Sequence, residues 1–273
     1  MLGKLLKHEL RATGRILLPI FGAMAVLAGL ANISMEVLDG AKSWVITALG
    51  VIVIATAVLA FLATQLAPMI VMILRFHRNL LSNEGYLMHT LPVNVHSLIW
   101  SKLIASSIWL VVSNLLLAAA MGLTGMHIGH MSLAEVFRGF PSWEQIRAAM
   151  QELGMSGWDL GLILFEGVAM LLLALLGGCL HFYAAMSLGY TASKNKGLLS
   201  VVIFVGFNFL FSATGAVQPF LTPDSIERAM MSATSIFAFL QSFLGALLLM
   251  TLLQSVVYYV ATFFGLKKGL NLA

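Results

Sequence analysis

Charge is what this chain has least of. Only 26 of its 273 side chains are charged, 15 basic and 11 acidic, about 10%, where a soluble domain has about 25%. That leaves too little polar surface to cover a water-facing globule of this length, and so apolar a composition also excludes disorder. Cys179 is the single cysteine, so an intrachain disulfide and the paired-cysteine zinc and redox motifs are excluded. The phosphate-binding G-x-x-x-x-G-K-[ST] loop is missing, and the nearest fragments, Gly40-Ala-Lys-Ser43 and Lys194-Asn-Lys-Gly197, lack its paired glycines. Neither H-E-x-x-H nor G-x-S-x-G occurs, so metalloprotease and acyl-transfer chemistry have no signature here. His127 and His130 lie near Glu135, but no third and fourth ligand can be pointed to, and no metal site is expected.

What is present is hydrocarbon. Apolar residues make up 60% of the chain, and its mean hydropathy is +0.97. A helix needs about 20 apolar residues to cross a bilayer core about 30 Å thick. Six runs qualify, at about 16–33, 44–74, 98–123, 161–190, 198–217 and 235–266. The expected fold is therefore all-α, a polytopic membrane protein forming a single transmembrane domain over 1–273. The basic stretch before the first run imitates a signal peptide, but its length and the five spans that follow favour a retained helix.

The basic residues orient this stack. Eleven of the 15 fall on one side: Lys4, Lys7, Arg11, Arg15, Arg75, Arg78, Lys102, Lys194, Lys196, Lys267 and Lys268. Eight of the 11 acids fall on the other side. The sorting leaves +9 on the side expected to be cytosolic, −4 outside and −1 at Glu166, which together give the net +4. Both termini are expected in the cytosol. The net charge is topological and gives no reason to expect nucleic acid as a partner.

Residues 1–15 are expected to form an interfacial helix, with Leu2, Leu5, Leu6 and Leu10 on one face, Lys4, Lys7 and Arg11 off it, and a turn into the membrane near Pro19. The outer loop over 124–157 holds two capping boxes, Ser132-Leu-Ala-Glu135 and Ser142-Trp-Glu-Gln145, separated by Pro141. Thr222-Pro223 reads as the start of another short outer helix. Segment 75–97 is more unusual. It lies on the basic side, yet Tyr86, Leu87, Met88, Leu91, Pro92 and Val93 follow one another closely. Exposed apolar residues there need cover from a protein partner, from lipid or from the bundle itself.

A basic amphipathic amino-terminal helix, six spans and the turn Glu84-Gly-Tyr-Leu-Met-His-Thr-Leu-Pro-Val93 together resemble permease subunits of ABC-type exporters of the type-2 superfamily. The resemblance covers the whole chain in layout, but its specific residues lie only in the opening helix and in this turn. It implies that Glu84, Gly85, Tyr86, Leu87, Met88, Thr90, Leu91 and Pro92 form a coupling surface that docks on a cytosolic ABC ATPase. It also implies a second permease, identical or related, as partner beside the lipid bilayer. The permease is then a transport subunit and not an enzyme. It holds no cofactor, ATP and Mg belong to the ATPase chain, and the setting is a bacterial cell membrane. Within the spans, Glu166, His181 and Asn208 are candidates for a polar path. The interfacial reading of Glu166 outweighs the functional one, and groups such as His181 and Asn208 are more often interhelical hydrogen-bonding groups than substrate contacts. An ion-coupled secondary carrier is the alternative, and a membrane sensor or enzyme without a recognisable catalytic motif is a third reading.

Overall fold

In a computed structural model of the chain, the described residues are 2–39, 43–82, 94–129, 132, 135, 138–139, 141–152, 154–192, 194–212, 224, 227 and 233–268. Every regular element among them is a helix: α1 (Leu2–Asp39), α2 (Trp44–Phe76) with a π-helical turn at His77–Leu81, α3 (Val95–Ile128), α4 (Trp143–Glu152), α5 (Gly157–Gly189), α6 (Lys196–Ser212) and α7 (Ala233–Lys268). Five helices, α1, α2, α3, α5 and α7, are long and apolar enough to cross a membrane, consistent with a polytopic membrane protein. The fifth expected span, 198–217, corresponds to α6, whose 17 residues reach only about 25 Å. Residues 213–217 lie outside the described set, as do Thr222-Pro223 and His130.

The amino-terminal expectation needs correcting. No turn separates an interfacial helix at 1–15 from the first span, because α1 runs unbroken over 38 residues with Pro19 inside it. Proline removes one backbone donor from the ladder, and here Pro19 lies on the exposed side of the helix. On the opposite side a buried stripe of Glu9, Thr13, Leu17, Phe21, Met24 and Ala28 continues through the proline position and fastens the helix on both sides of it. Of the expected apolar face, Leu5, Leu6 and Leu10 are half-buried and Leu2 is exposed, while Lys4, Lys7 and Arg11 are exposed as expected.

The chain divides into two compact units, Met1–Phe76 with His96–Phe140, and His77–Val95 with Pro141–Ala273. In the first, Glu9 meets Arg75 and Leu38 meets Gly50, so α1 and α2 run antiparallel. Glu9 also meets Lys102, and Asn32 meets Thr124, so α3 runs parallel to α1. Pro68 inside α2 has no N–H for the carbonyl of Thr64, and the Ser113 hydroxyl of α3 donates to that carbonyl at 2.8 Å. A proline in an apolar helix is tolerated where a neighbour satisfies the freed group in this way.

The second unit is built on α5. The Ser156 N-cap closes a capping box with Asp159 and starts the helix. α7 lies parallel to α5, with Ser255 against Gly177 and Ser187 against Gly265, whereas α6 lies antiparallel, with Ser200 against Gly189. Small pairs four residues apart allow such approaches, and Ala25/Gly29, Ala174/Gly178 and Ala185/Gly189 all have that spacing. Only Gly189 among these glycines has a neighbour within 4 Å of where a Cβ would stand; Gly29 and Gly178 face open space. Both capping boxes expected in the 124–157 loop are formed. The Ser132 N–H donates to Glu135 Oε2 at 2.6 Å, and the Ser142 N–H donates to Gln145 Oε1 at 2.8 Å. α4 ends at Gly154 (φ +62°), where the N–H of Met155 bonds the Met150 carbonyl and that of Gly154 bonds Gln151. This reciprocal pair requires the left-handed residue that glycine supplies.

Candidate functional site

The residues Glu84, Gly85, Tyr86, Leu87, Met88, Thr90, Leu91 and Pro92 lie outside the described set. Their flanks lie within it and carry the densest ionic cluster among the described residues. Arg75 is in the last turn of α2, and Lys102 is two turns into α3. Both reach Glu9 of α1: Arg75 Nε is 3.0 Å from Oε2, and Lys102 Nζ is 2.8 Å from Oε1. Each carboxylate oxygen thus faces its own cation. Glu9 is 7% exposed and Lys102 4%, so water screens the pair little.

Hydrogen bonding continues one turn along α1. The Thr13 hydroxyl donates to the Glu9 carbonyl at 2.7 Å, and the Trp109 indole N–H of α3 donates to Thr13 Oγ1 at 2.7 Å. Trp109 packs on Phe21 and covers Gly14. Charge and packing together hold α1, the end of α2 and the start of α3 as one body. In the second unit, His77 of the π-helical turn is hydrogen-bonded to the Tyr190 hydroxyl, and Leu80 and Leu81 are buried. A single-turn π segment of this kind often marks a functional position in a helix.

His181 and Asn208 come together. Both line one cavity of about 460 Å³ in the second unit, with Thr251, Gln254, Ser255 and Tyr258 as its other polar groups. The His181 ring lies between the faces of Phe204 and Tyr258, with centroids 4.2 and 4.8 Å away. Its Nε2 is 3.1 Å from the Phe204 carbonyl. A carbonyl only accepts, so Nε2 carries the proton in this arrangement and Nδ1 is an acceptor. Asn208 Nδ2 donates to the same carbonyl at 2.9 Å, which leaves Oδ1 as its acceptor toward the cavity. Glu166 does not line this cavity. It is paired with α7 instead, where Gln241 Nε2 donates to its Oε1 at 2.7 Å.

Three features escaped the sequence reading. Glu9 counted only as an acid on the basic side, although it is the only acid among the first 35 residues and is in register with the apolar stripe Leu17, Phe21 and Met24. Tyr258 and Phe204 carried no polar pattern to single them out. The box Ser156-Gly-Trp-Asp159 had the S-x-x-D signal and went unread. Among the described residues no group of three or more metal-binding side chains occurs. No protein-family model, curated protein or solved structure matches the chain.

Proposed function

We propose that this chain is the permease subunit of an ATP-driven exporter of the ABC type, paired with a second permease and driven by separate cytosolic ATPase subunits. The ionic cluster supports the reading best: Glu9 holds Arg75 and Lys102, one on each side of segment 83–93. A load on that segment reaches the bundle through the end of α2 and the start of α3. Because both are bound to one buried carboxylate, they move with α1 as one body. Leaving the buried Lys102 without Glu9 costs about 3–5 kcal/mol, enough to keep α1 and the start of α3 together during a power stroke, while the partly exposed Arg75 arm adds less. In this reading both termini face the cytosol, Tyr86 to Pro92 dock on the ATPase, and the protein resides in the cell membrane of a bacterium. The test replaces Tyr86 and Leu87 together with aspartate. ATPase subunits encoded beside this chain stop co-purifying with it, while its membrane insertion is unchanged. Co-purification at the wild-type level would refute the docking assignment.

The second reading, an ion-coupled carrier, draws on the second unit. A cavity with His181 and Asn208 at its wall, and a carboxyl paired at Glu166, suit a polar path in a bundle core. Transport that persists in vesicles depleted of ATP but carrying an ion gradient would favour it.

A further inference from the structure

α1 begins with the wrong charges for a helix start. The amino-terminal end of a helix is its positive end and favours acidic side chains, yet α1 has none in its first turn. It carries Lys4, Lys7, Arg11 and Arg15 instead, all exposed. At 3.6 residues per turn these four fall within an arc of about 80°. Glu9, the only acid among the first 35 residues, lies on the opposite side, buried against Arg75 and Lys102. The basic stripe therefore has no counter-charge within its own helix, and the helix dipole adds to its positive potential.

What the stripe continues into decides its partner. The same face runs on through Leu18, Val26 and Ile33, all exposed, and between them Gly22 and Gly29 have nothing within 4 Å of where a Cβ would stand. Successive positions from Lys4 to Ile33 along this face are three or four residues apart, and α1 is unbroken over all of them. One lane thus leads from four cations to apolar side chains turned away from the bundle, which in a membrane protein face lipid. The geometry points to Lys4, Lys7, Arg11 and Arg15 as a docking surface for anionic phospholipid headgroups. The surface serves either transport class, since it requires only that α1 cross a bilayer.

Depth divides the four residues. Measured along the axis from Leu18, Arg15 and Arg11 stand about 4 and 10 Å away, and Lys7 and Lys4 about 16 and 21 Å. Each headgroup layer is about 5–8 Å thick, so the two arginines reach phosphate level with their long side chains. The lysines stand beyond it and feel the surface charge only through solvent, screened over about 8–10 Å. The residue types follow this order: the planar arginine fork pairs two phosphate oxygens at once, whereas lysine acts as a point charge.

The test uses the full chain in detergent, titrated with dioleoylphosphatidylglycerol, which is anionic, or with zwitterionic dioleoylphosphatidylcholine. Bound lipid is counted by native mass spectrometry. Wild type binds the glycerol lipid more tightly. Arg11→Gln combined with Arg15→Gln weakens that binding about thirty-fold, about five- to sixfold for each cation near the surface, and leaves the choline lipid unaffected. Lys4→Gln combined with Lys7→Gln weakens it by about fivefold or less. All four side chains are exposed, so both double variants keep the wild-type thermal midpoint in detergent without added lipid. Equal affinity of wild type for the two lipids overturns the proposal in favour of an acidic protein surface as the occupant. Equal losses in the two double variants overturn the order of depth.

Discussion

Replacing Glu9 with glutamine tests whether the ionic cluster is a structural clasp or a surface ornament. The substitution preserves shape and one acceptor but removes the charge, leaving Lys102 with a side chain 4% exposed and no counterion. Leaving a buried charge unpaired in this way costs about 3–5 kcal/mol. Arg75 contributes less, because a quarter of its side chain is exposed and exposed pairs give about 0–1 kcal/mol; Arg75→Gln should therefore be mild. For a chain of this size the Glu9→Gln loss corresponds to a fall in thermal midpoint on the order of 10 °C. Trp109 is hydrogen-bonded to Thr13 one turn away, so its fluorescence in detergent, with the other four tryptophans replaced by phenylalanine, follows the event locally. The decisive comparison adds Lys102→Met. The double variant buries neither charge and should recover most of the lost stability, because an apolar replacement of a buried pair is often neutral or better. A double variant that costs the sum of the two single losses would refute the clasp, as would a Glu9→Gln midpoint equal to wild type.

Further outcomes follow from contacts elsewhere. Gly189→Ala places a Cβ 2.6 Å from the Ser200 backbone nitrogen, so α5 and α6 must separate at about 1–3 kcal/mol; Gly178→Ala, with nothing within 4 Å, should change stability by less than about 0.5 kcal/mol. Equal thermal midpoints for the two variants would contradict that packing. Ser156→Ala removes the N-cap of α5 at a cost of about 1 kcal/mol, read as faster hydrogen exchange at the Asp159 amide. In the loop between α3 and α4, the Ser132 backbone N–H and then its hydroxyl hold the exposed Glu135 carboxyl below the usual carboxylate range. A lowered value means that the box is strengthened above the ordinary glutamate range and is lost as pH falls through the lowered value. Protection of the Ser132 amide from exchange should therefore drop on acidification and be insensitive to pH in Glu135→Gln.

The helices were legible because hydrocarbon thickness sets a length that composition alone can meet, and the capping boxes at Ser132 and Ser142 were legible because their partners lie three residues apart. What was not legible is long-range pairing. Glu9 finds its cations 66 and 93 positions away, and Glu166 finds its amide 75 positions away. No local pattern encodes such distances. The continuity of α1 through Pro19 was missed for a related reason: the proline rule describes an isolated helix, whereas here tertiary packing on both sides of the proline decides the outcome. These cases share a physical basis. In an apolar surround a polar side chain needs a partner, which its own helix or another element supplies, and the long-range cases are Ser113 at the carbonyl freed by Pro68, His181 on the Phe204 carbonyl, and Arg75 and Lys102 on Glu9. The scarcity of charge therefore raises the information in each charged residue.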